Sequence, residues 1–264
     1  MHQPELRLIF WELTSRCNLQ CVHCRAEASP VASPEELTTA EMKKFIDEVA
    51  AFSKPILVLT GGEPLYRHDI YEVSAYAAAK GLRVALATNG TLITPEIAQK
   101  IKNAGVMRVS ISLDAAEAKL HDDFRQQSGA FQKALDGFAY LKDLAVPVQI
   151  NTTVTKHNVD HLPEIYDLAL KLGAVAWHIF LLVPVGCGIN IAKEQEISPA
   201  RYEAVLNWLY DRDEEKKIEL KATCAPHYYR ILKQRSKQFR GRGCLAGTGV
   251  CFVSHKGDVQ PCGY

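Results

Sequence analysis

The chain has 264 residues, 47% of them hydrophobic, and its 31 Lys and Arg residues balance 30 Asp and Glu residues to a formal charge of +1. This composition excludes an intrinsically disordered chain and provides no overall attraction to nucleic acid or to a membrane surface. No signal peptide is recognisable, and the longest apolar run, residues 175–185, is far shorter than the ~20 residues of a membrane helix. We therefore expect a cytoplasmic protein with no membrane or nucleic-acid partner. Its eight cysteines then favour metal or redox chemistry over disulfides.

Short runs rich in β-branched residues alternate with amphipathic helical segments along the first two thirds of the chain. The runs are residues 6–14, 56–60, 83–88, 108–113, 148–154 and 174–182. The helical segments include residues 37–52 and 162–173, the second ending at Gly173. Six such units predict an α/β fold with a parallel sheet, as a barrel, a partial barrel or a doubly wound sheet.

The pattern changes after about residue 185. Residues 198–217 have a helical pattern, and residues 249–264 predict a hairpin whose turn contains Gly257 and Asp258. The chain ends two residues after Cys262.

The distinctive motifs follow the predicted strands. "SRCNLQCVHC" follows the first strand, "GGEP" the second and "NG" the third, while "SLDA" closes the fourth. Because the carboxyl ends of parallel strands meet on one face of the fold, we expect these motifs to converge there.

Cys17, Cys21 and Cys24 have the spacing C-x3-C-x2-C, without a fourth cysteine nearby. Four thiolates would close a structural zinc site or a conventional iron-sulfur cluster, whereas three leave one metal position open. An open iron can bind a substrate. A zinc knuckle or free thiols are the simpler alternatives.

The string "CNLQCVHC", with "TGGEP" and "TNG" downstream, resembles the radical S-adenosylmethionine (SAM) enzymes over roughly residues 7–184. The resemblance implies a partial (β/α)6 TIM-like barrel in which Cys17, Cys21 and Cys24 hold a 4Fe-4S cluster. SAM would chelate the fourth iron. No catalytic residue is implied beyond the cluster and SAM.

The same resemblance implies SAM contacts at the other strand ends. Gly61 and Gly62 would let the backbone approach the methionine moiety, and Glu63 would accept a hydrogen bond from the SAM ammonium. Asn89 would contact the ribose, and Ser112 and Arg125 match further SAM-binding positions. The simpler readings are a backbone turn at the glycines, a turn residue at Asn89 and a solvated surface arginine.

His23 occupies a position that is usually aromatic in this family, where the side chain lies near adenine. A lone histidine can equally be a packing residue, so we assign it no proton chemistry.

Cys244, Gly257 and Cys262 form C-x12-G-x4-C, which resembles the opening of the SPASM/Twitch extension that carries auxiliary iron-sulfur clusters. We therefore expect residues 1–190 to form the radical SAM core. Residues 191–264 would form linker helices and the start of an incomplete auxiliary-cluster domain with α+β structure. The remaining cysteines of that pattern are absent, so the sequence reads as a piece of a longer chain.

The other three cysteines are open to more than one reading. Cys251 could be an extra ligand or a buried strand thiol, and Cys224 could be a ligand or lie near the substrate. Cys187 is expected to be inert, because buried free cysteine packs as a small hydrophobe.

Residues 227–242 contain six Lys or Arg residues and no acidic residue. They could be a solvated helix face or a site for a polyanionic substrate. This region and residues 244–264 resemble the branch of the family that forms haem by the alternative, sirohaem-dependent route. That resemblance implies iron-coproporphyrin III as the substrate, oxidative decarboxylation of two propionates to vinyls, and an electron donor such as ferredoxin or flavodoxin.

Two other functions remain open. A radical SAM peptide maturase is compatible with an extension of the SPASM type. A non-catalytic iron-sulfur electron carrier predicts a closed four-cysteine site, and "GGEP" and "TNG" count against it.

Overall fold

The structure is a computed structural model that describes residues 5–236 and 243–264. These residues contain a nine-stranded sheet. Its strands are β1 (Leu8–Glu12), β2 (Ile56–Thr60), β3 (Arg83–Thr88), β4 (Arg108–Ser112), β5 (Val148–Val154), β6 (Ala176–Leu181), β7 (Glu219–Thr223), β8 (Val250–Val253) and β9 (Val259–Gln260).

Helices connect most of the strands. They are α1 (Thr39–Phe52), α2 (Ile70–Ala79), α3 (Pro95–Asn103), α4 (Ala118–Arg125), α5 (Ala130–Asp143), α6 (Leu162–Leu172), α7 (Gly188–Gln195), α8 (Pro199–Glu214) and α9 (Tyr228–Arg235), with short 3-10 turns at Pro64–Tyr66 and Val159–His161. Among the described residues, no helix is both long and apolar enough to cross a bilayer.

Local sequence explains where these helices begin and end. Thr38 caps α1 in a capping box with Glu41, whose carboxylate accepts from the Thr38 backbone N–H at 2.8 Å. Gly173 ends α6 with φ of +77°, as predicted from its position.

The order of the strands across the sheet is β7-β6-β5-β4-β3-β2-β1-β8-β9. β1 to β8 pair in parallel, and β9 returns antiparallel to β8. The six predicted strands and the predicted hairpin are therefore confirmed. The sequence did not predict β7, nor that β8 pairs with β1, where Leu8 lies beside Val250.

The two faces of the sheet differ in burial. On one face, residues such as Leu59, Ile111 and Trp177 are fully buried in a core that includes the helices. On the other, which we call the open face, residues such as Val58, Ser112 and His178 are only half-buried. Helices on a single face fit a partial barrel and exclude a doubly wound sheet, which has helices on both faces.

Candidate active site at the carboxyl edge of the sheet

The predicted site residues lie at neighbouring strand ends. Residues 17–24 follow β1, Gly61–Glu63 follow β2, Asn89 follows β3 and Ser112 ends β4. Because these four strands are adjacent and parallel, their carboxyl ends form one edge of the sheet. The predicted convergence of the motifs is therefore present.

Cys17, Cys21 and Cys24 are free, half-buried thiols on the loop after β1. The Cys17 sulfur accepts from the Leu19 backbone N–H at 3.4 Å, and Asn89 Nδ2 lies 3.9 Å from the same sulfur. N–H groups aimed at cysteine sulfur are the outer-shell contacts that tune iron-sulfur sites.

Asn89 contacts the Cys17 sulfur and also stabilises the turn that follows it, as its interpretation as a turn residue predicted. Its Oδ1 accepts from the Thr91 backbone N–H at 2.9 Å, and its Nδ2 donates to Asn18 Oδ1 at 2.9 Å. Asn18 in turn donates to Thr91 Oγ1 at 2.8 Å. This closed group of side chains holds the Asn89 amide beside Cys17, and the predicted ribose contact stays a prediction.

Arg125 is buried, which rules out the reading as a solvated surface residue. Its Nη1 lies 3.6 Å from the Cys21 sulfur, and its Nε donates to Asp114 Oδ2 at 2.7 Å. The second Asp114 oxygen accepts from the Thr153 backbone N–H at 2.8 Å. Burial alone would raise the pKa of Asp114, but the adjacent Arg125 guanidinium holds it below its usual range.

Burial raises the pKa of two of these thiols. It raises the pKa of Cys17 to about 12 and also raises the pKa of Cys21, which the Arg125 charge only partly offsets. The free thiols of Cys17 and Cys21 are therefore protonated at neutral pH, and binding of iron must release their protons.

Gly61 and Gly62 let the second motif pack directly on the cysteine loop. A Cβ on Gly61 would lie 2.5 Å from the Thr14 carbonyl oxygen, and one on Gly62 would lie 2.4 Å from the Arg16 carbonyl oxygen. The Gly62 N–H donates to the Thr14 oxygen at 2.8 Å. The backbone that leads to Cys17 therefore leaves no room for a side chain at either glycine. An approach of these glycines to SAM stays a prediction.

Glu63 links two of the loops at this edge of the sheet. Its side chain is 0% exposed, and its carboxylate accepts from Thr88 Oγ1 at 2.7 Å and from the Asn89 N–H at 2.8 Å. Burial raises its pKa to about 7. The carboxylate thus ties the β2 loop to the β3 loop, and the predicted contact with the SAM ammonium stays a prediction.

Glu36 is a site residue that the sequence did not single out. Its Oε1 accepts from Thr14 Oγ1 at 2.7 Å and from the Ser15 N–H at 2.9 Å, and its Oε2 lies 3.5 Å from Arg67 Nη1. It thereby fixes the segment that enters the cysteine loop. No local pattern marks it, because its partners are far away in the sequence.

His23 stacks on Phe124, with ring centroids 4.1 Å apart and planes 9° apart. Phe124 stacks in turn on His157 at 5.0 Å. Burial lowers the pKa of His23 to about 3, and its buried Nδ1 has no hydrogen-bond partner within residues 5–236 and 243–264. The ring is neutral and packs as an aromatic residue would.

Three thiols on one loop, with N–H donors at Cys17 and a guanidinium at Cys21, fit a 4Fe-4S cluster with one iron open to SAM. Within the described residues, no three Cys, His, Asp or Glu side chains converge as ligands of a single metal ion.

Cys244 and Cys262 lie close enough to Cys224 to influence its titration. Burial raises the pKa of Cys224 to about 11, and the thiols of Cys262 and Cys244 contribute to that increase. The Tyr264 hydroxyl hydrogen-bonds to the Cys224 sulfur. Cys224 thus joins the two cysteines that the sequence pattern selected.

Arg25, directly after Cys24, links the cysteine loop to this second group. Its guanidinium forms an ion pair with Glu12 and donates from Nη1 to the Gly263 carbonyl oxygen at 2.7 Å. It also lies over the Phe252 ring at 4.7 Å and over the Tyr264 ring at 5.8 Å. The sequence analysis did not identify this residue.

The two remaining cysteines lie in different surroundings. Cys251 is beside Ile9 in the sheet and packs against the hydrophobic core, which fits the reading as a strand thiol. The Cys187 backbone N–H donates to the Cys24 carbonyl oxygen at 2.9 Å, so Cys187 lies beside the cysteine loop. Its predicted inertness stays a prediction.

The basic segment is only partly described, because residues 237–242 lie outside the described residues. In α9, Arg230 pairs with Glu203, and Arg235 Nη2 lies 2.8 Å from Asp211 Oδ1. Two of the basic side chains thus pair with α8, as on a solvated helix face.

Comparison with known proteins gives a consistent result. The family described as the radical SAM superfamily matches residues 11–169. The AdoMet-dependent heme synthase of Methanosarcina barkeri is 52% identical over 98% of this chain and 77% of its own length. The mycofactocin maturase MftC of Mycolicibacterium smegmatis is 33% identical over 96% of this chain and 63% of its own length.

Among solved structures, Streptococcus suis SuiB bound to its precursor peptide SuiA superimposes with a TM-score of 0.79 at 15% identity. The match covers 98% of this chain, which spans 60% of SuiB. At this identity the likeness concerns the fold.

Proposed function

Because the chain belongs to the radical SAM superfamily, we propose that it oxidatively decarboxylates two propionates of iron-coproporphyrin III to vinyl groups, forming haem b. The observation that carries this proposal is the 52% identity with the heme synthase of Methanosarcina barkeri along nearly the whole chain. Membership of the superfamily implies a 4Fe-4S cluster and SAM as cofactors. In this function the open face would meet a substrate with four carboxylates.

The reaction must balance at each propionate. The side chain loses one hydrogen atom, carbon dioxide and one electron, and a carbon-carbon double bond forms. When bound, the cluster and SAM together supply a strong abstractor of hydrogen atoms. The released electron needs a separate acceptor.

Several of the described residues would bind the cluster and SAM. Cys17, Cys21 and Cys24 would bind the cluster, and Arg125 would keep a positive charge at the Cys21 sulfur, 3.6 Å from its Nη1. Some N–H donors of Arg125 remain for the SAM carboxylate, beside Ser112 at the end of β4. Gly61, Gly62 and Asn89 would line the same edge.

Cys244 and Cys262, joined by Cys224, would hold the auxiliary cluster that accepts the electron. The electrostatic effect of Cys244 and Cys262 on the Cys224 thiol supports this assignment. Residues 1–190 would then act as the core that holds SAM, and residues 191–264 as the start of the auxiliary-cluster region. A small reductant protein such as ferredoxin or flavodoxin would supply electrons to the first cluster.

The test is an anaerobic reaction with reconstituted iron and sulfide, SAM, reductant and iron-coproporphyrin III, with products followed by mass spectrometry. We expect haem b together with 5'-deoxyadenosine. Formation of 5'-deoxyadenosine with unchanged porphyrin would overturn the proposed substrate.

A peptide substrate is the second candidate, because the mycofactocin maturase is also similar over 96% of this chain. The same assay with a candidate precursor peptide in place of the porphyrin separates the two functions. A mass change in the peptide, with the porphyrin unchanged, would favour the maturase.

A further inference from the structure

A row of polar side chains crosses the open face of the sheet from the candidate active site to the edge strand. Ser112 pairs with Asn151, Asn151 with His178, and His178 with Lys221. Side chains in register on adjacent parallel strands point to the same face, and the strands lie about 4.8 Å apart. The row therefore reaches roughly 14 Å from Ser112, at the site, to Lys221 on β7.

Hydrogen bonds with Gln149 and Glu219, which precede Asn151 and Lys221 by two residues on the same strands, hold the side chains of this row in place. Gln149 Nε2 donates to Asn151 Oδ1 at 2.7 Å and also contacts His178 Nδ1 at 2.9 Å. His178 Nε2 lies 3.4 Å from Glu219 Oε1. Burial, followed by the nearby Lys221 charge, lowers the pKa of His178 to about 4. His178 is thus a neutral, oriented ring. The Asn151 oxygen accepts from Gln149, while the Asn151 amide N–H groups have no hydrogen-bond partner within the described residues.

The charges around the row leave one cation uncompensated. Glu219, the carboxylate that contacts His178, is engaged by Arg108, whose Nη1 lies 3.1 Å from Glu219 Oε2. Within residues 5–236 and 243–264, Lys221 has no ion pair, and it is exposed. Lys221 lies beside His178 in the register of β6 and β7, and its charge contributes to lowering the pKa of His178.

A lysine on an edge strand also has a simpler explanation, since such lysines prevent pairing with another sheet. That role requires only a charge at the edge. It does not require an oriented amide and a neutral imidazole in the same register, leading to the site. The combination of an unpaired ammonium and an amide donor on a half-buried polar surface is a receptor for a carboxylate.

We propose that Asn151 and Lys221 bind a propionate carboxylate of the substrate on the open face, with His178 as the neutral surface between them. The inference rests on the proposed function, because it requires a substrate with carboxylate side chains. It assigns substrate recognition to the open face of β5–β7, and not to the basic helix α9.

The test is optical titration of the anaerobic, cluster-loaded full chain with iron-coproporphyrin III, without reductant. A charge-assisted hydrogen bond of ordinary strength predicts that Lys221→Met weakens binding about tenfold, while Lys221→Arg restores most of it. The tetramethyl ester of the same porphyrin lacks carboxylates, so wild type and Lys221→Met should bind it equally.

Two matched variants complete the design. Lys217→Met removes a surface charge close to β7 whose Nζ pairs with Glu215 at 2.9 Å, and it should bind the acid like wild type. Lys233→Met removes a charge from α9 and should do the same. Thermal unfolding of each variant checks that the fold is retained.

The outcomes separate this inference from the proposed function. Equal binding of the acid by wild type and Lys221→Met, while wild type still forms haem b, overturns the inference alone. Weakened binding in Lys233→Met but not in Lys221→Met moves the carboxylate to α9 and also overturns it. A wild-type protein that binds no porphyrin overturns both proposals.

Discussion

Cys17, Cys21 and Cys24 lie on one loop, whereas Cys224, Cys244 and Cys262 reach their common location from three separate segments. The first group is supported by short contacts from neighbouring loops, including the Leu19 N–H at Cys17 and Arg125 at Cys21. The second group depends on the C-terminal hairpin lying against β1. A site on one loop is organised by local backbone, but a site made from distant segments exists only when those segments dock.

The largest expected effect comes from breaking the first group. Cys24→Ser should abolish cluster binding and reduce SAM cleavage to background, because a thiolate ligand is lost. Cys187→Ser is the matched control, since its backbone N–H contacts Cys24 but its thiol is no proposed ligand. Iron and sulfide content, with 5'-deoxyadenosine formation, checks both variants. A full cluster in Cys24→Ser would contradict the assignment.

The next effect tests the support of that loop. Asp114→Asn leaves the buried Arg125 charge without its partner and should lower the free energy of unfolding by about 3–5 kcal/mol. Asp123→Asn, on the same helix as Arg125, breaks only an exposed pair with Lys119 and should cost less than about 1 kcal/mol. Urea denaturation measures both. Similar losses in the two variants would show that the buried Asp114–Arg125 ion pair contributes no more to stability than the exposed Asp123–Lys119 pair.

The docking of the hairpin depends on Arg25. Arg25→Gln leaves the largely buried Glu12 with only His255, whose Nδ1 is 4.0 Å away, and removes the bond to Gly263, so we expect a loss of about 2–3 kcal/mol. Hydrogen exchange should accelerate at the amides of Val250–Val253. Arg7→Gln, which affects an exposed arginine, is the control and should leave that exchange unchanged. Protection that survives in Arg25→Gln would mean that other contacts hold the hairpin.

The smallest effect concerns the pH dependence of the fold around Glu63. Its buried carboxyl has a pKa of about 7, above the unfolded value of about 4.3, so the folded state binds more protons between these values. Stability should therefore fall by on the order of 2 kcal/mol from pH 5 to pH 7.

Urea unfolding of iron-free protein at both pH values checks this expectation. Glu63→Gln should lose the Glu63 part of the decrease, while Glu48→Gln, a substitution at an exposed carboxylate, should keep it. An equal decrease in wild type and Glu63→Gln would assign the pH dependence to other groups.

The same contrast between local and distant contacts explains how far the sequence could be interpreted. The first six strands and the three-cysteine loop were predictable, because each is encoded in consecutive residues. β7 was not predicted. Its sequence, "ELKAT", is short and contains exposed charged residues at the edge of the sheet, so it lacks the apolar pattern of the other strands.

The contacts that hold the site together were not predictable from local patterns. Glu36, Asp114 and Arg25 act on partners that are distant in the chain, so no spacing rule marks them. The role of Glu63 at the SAM ammonium came from the resemblance and stays a prediction. Only the fold shows that its carboxylate also accepts from Thr88 Oγ1 and the Asn89 N–H.

The position of β1 between β2 and β8 also bears on biosynthesis. Leu8 is synthesised 242 residues before its neighbour Val250. At a synthesis rate of about 5–20 residues per second, β8 is synthesised roughly ten to fifty seconds after β1. Until then, one edge of β1 has no strand to pair with. During that interval the cysteine loop is already made while the hairpin that contacts Arg25 is not. Cluster insertion can therefore precede the final closure of the sheet.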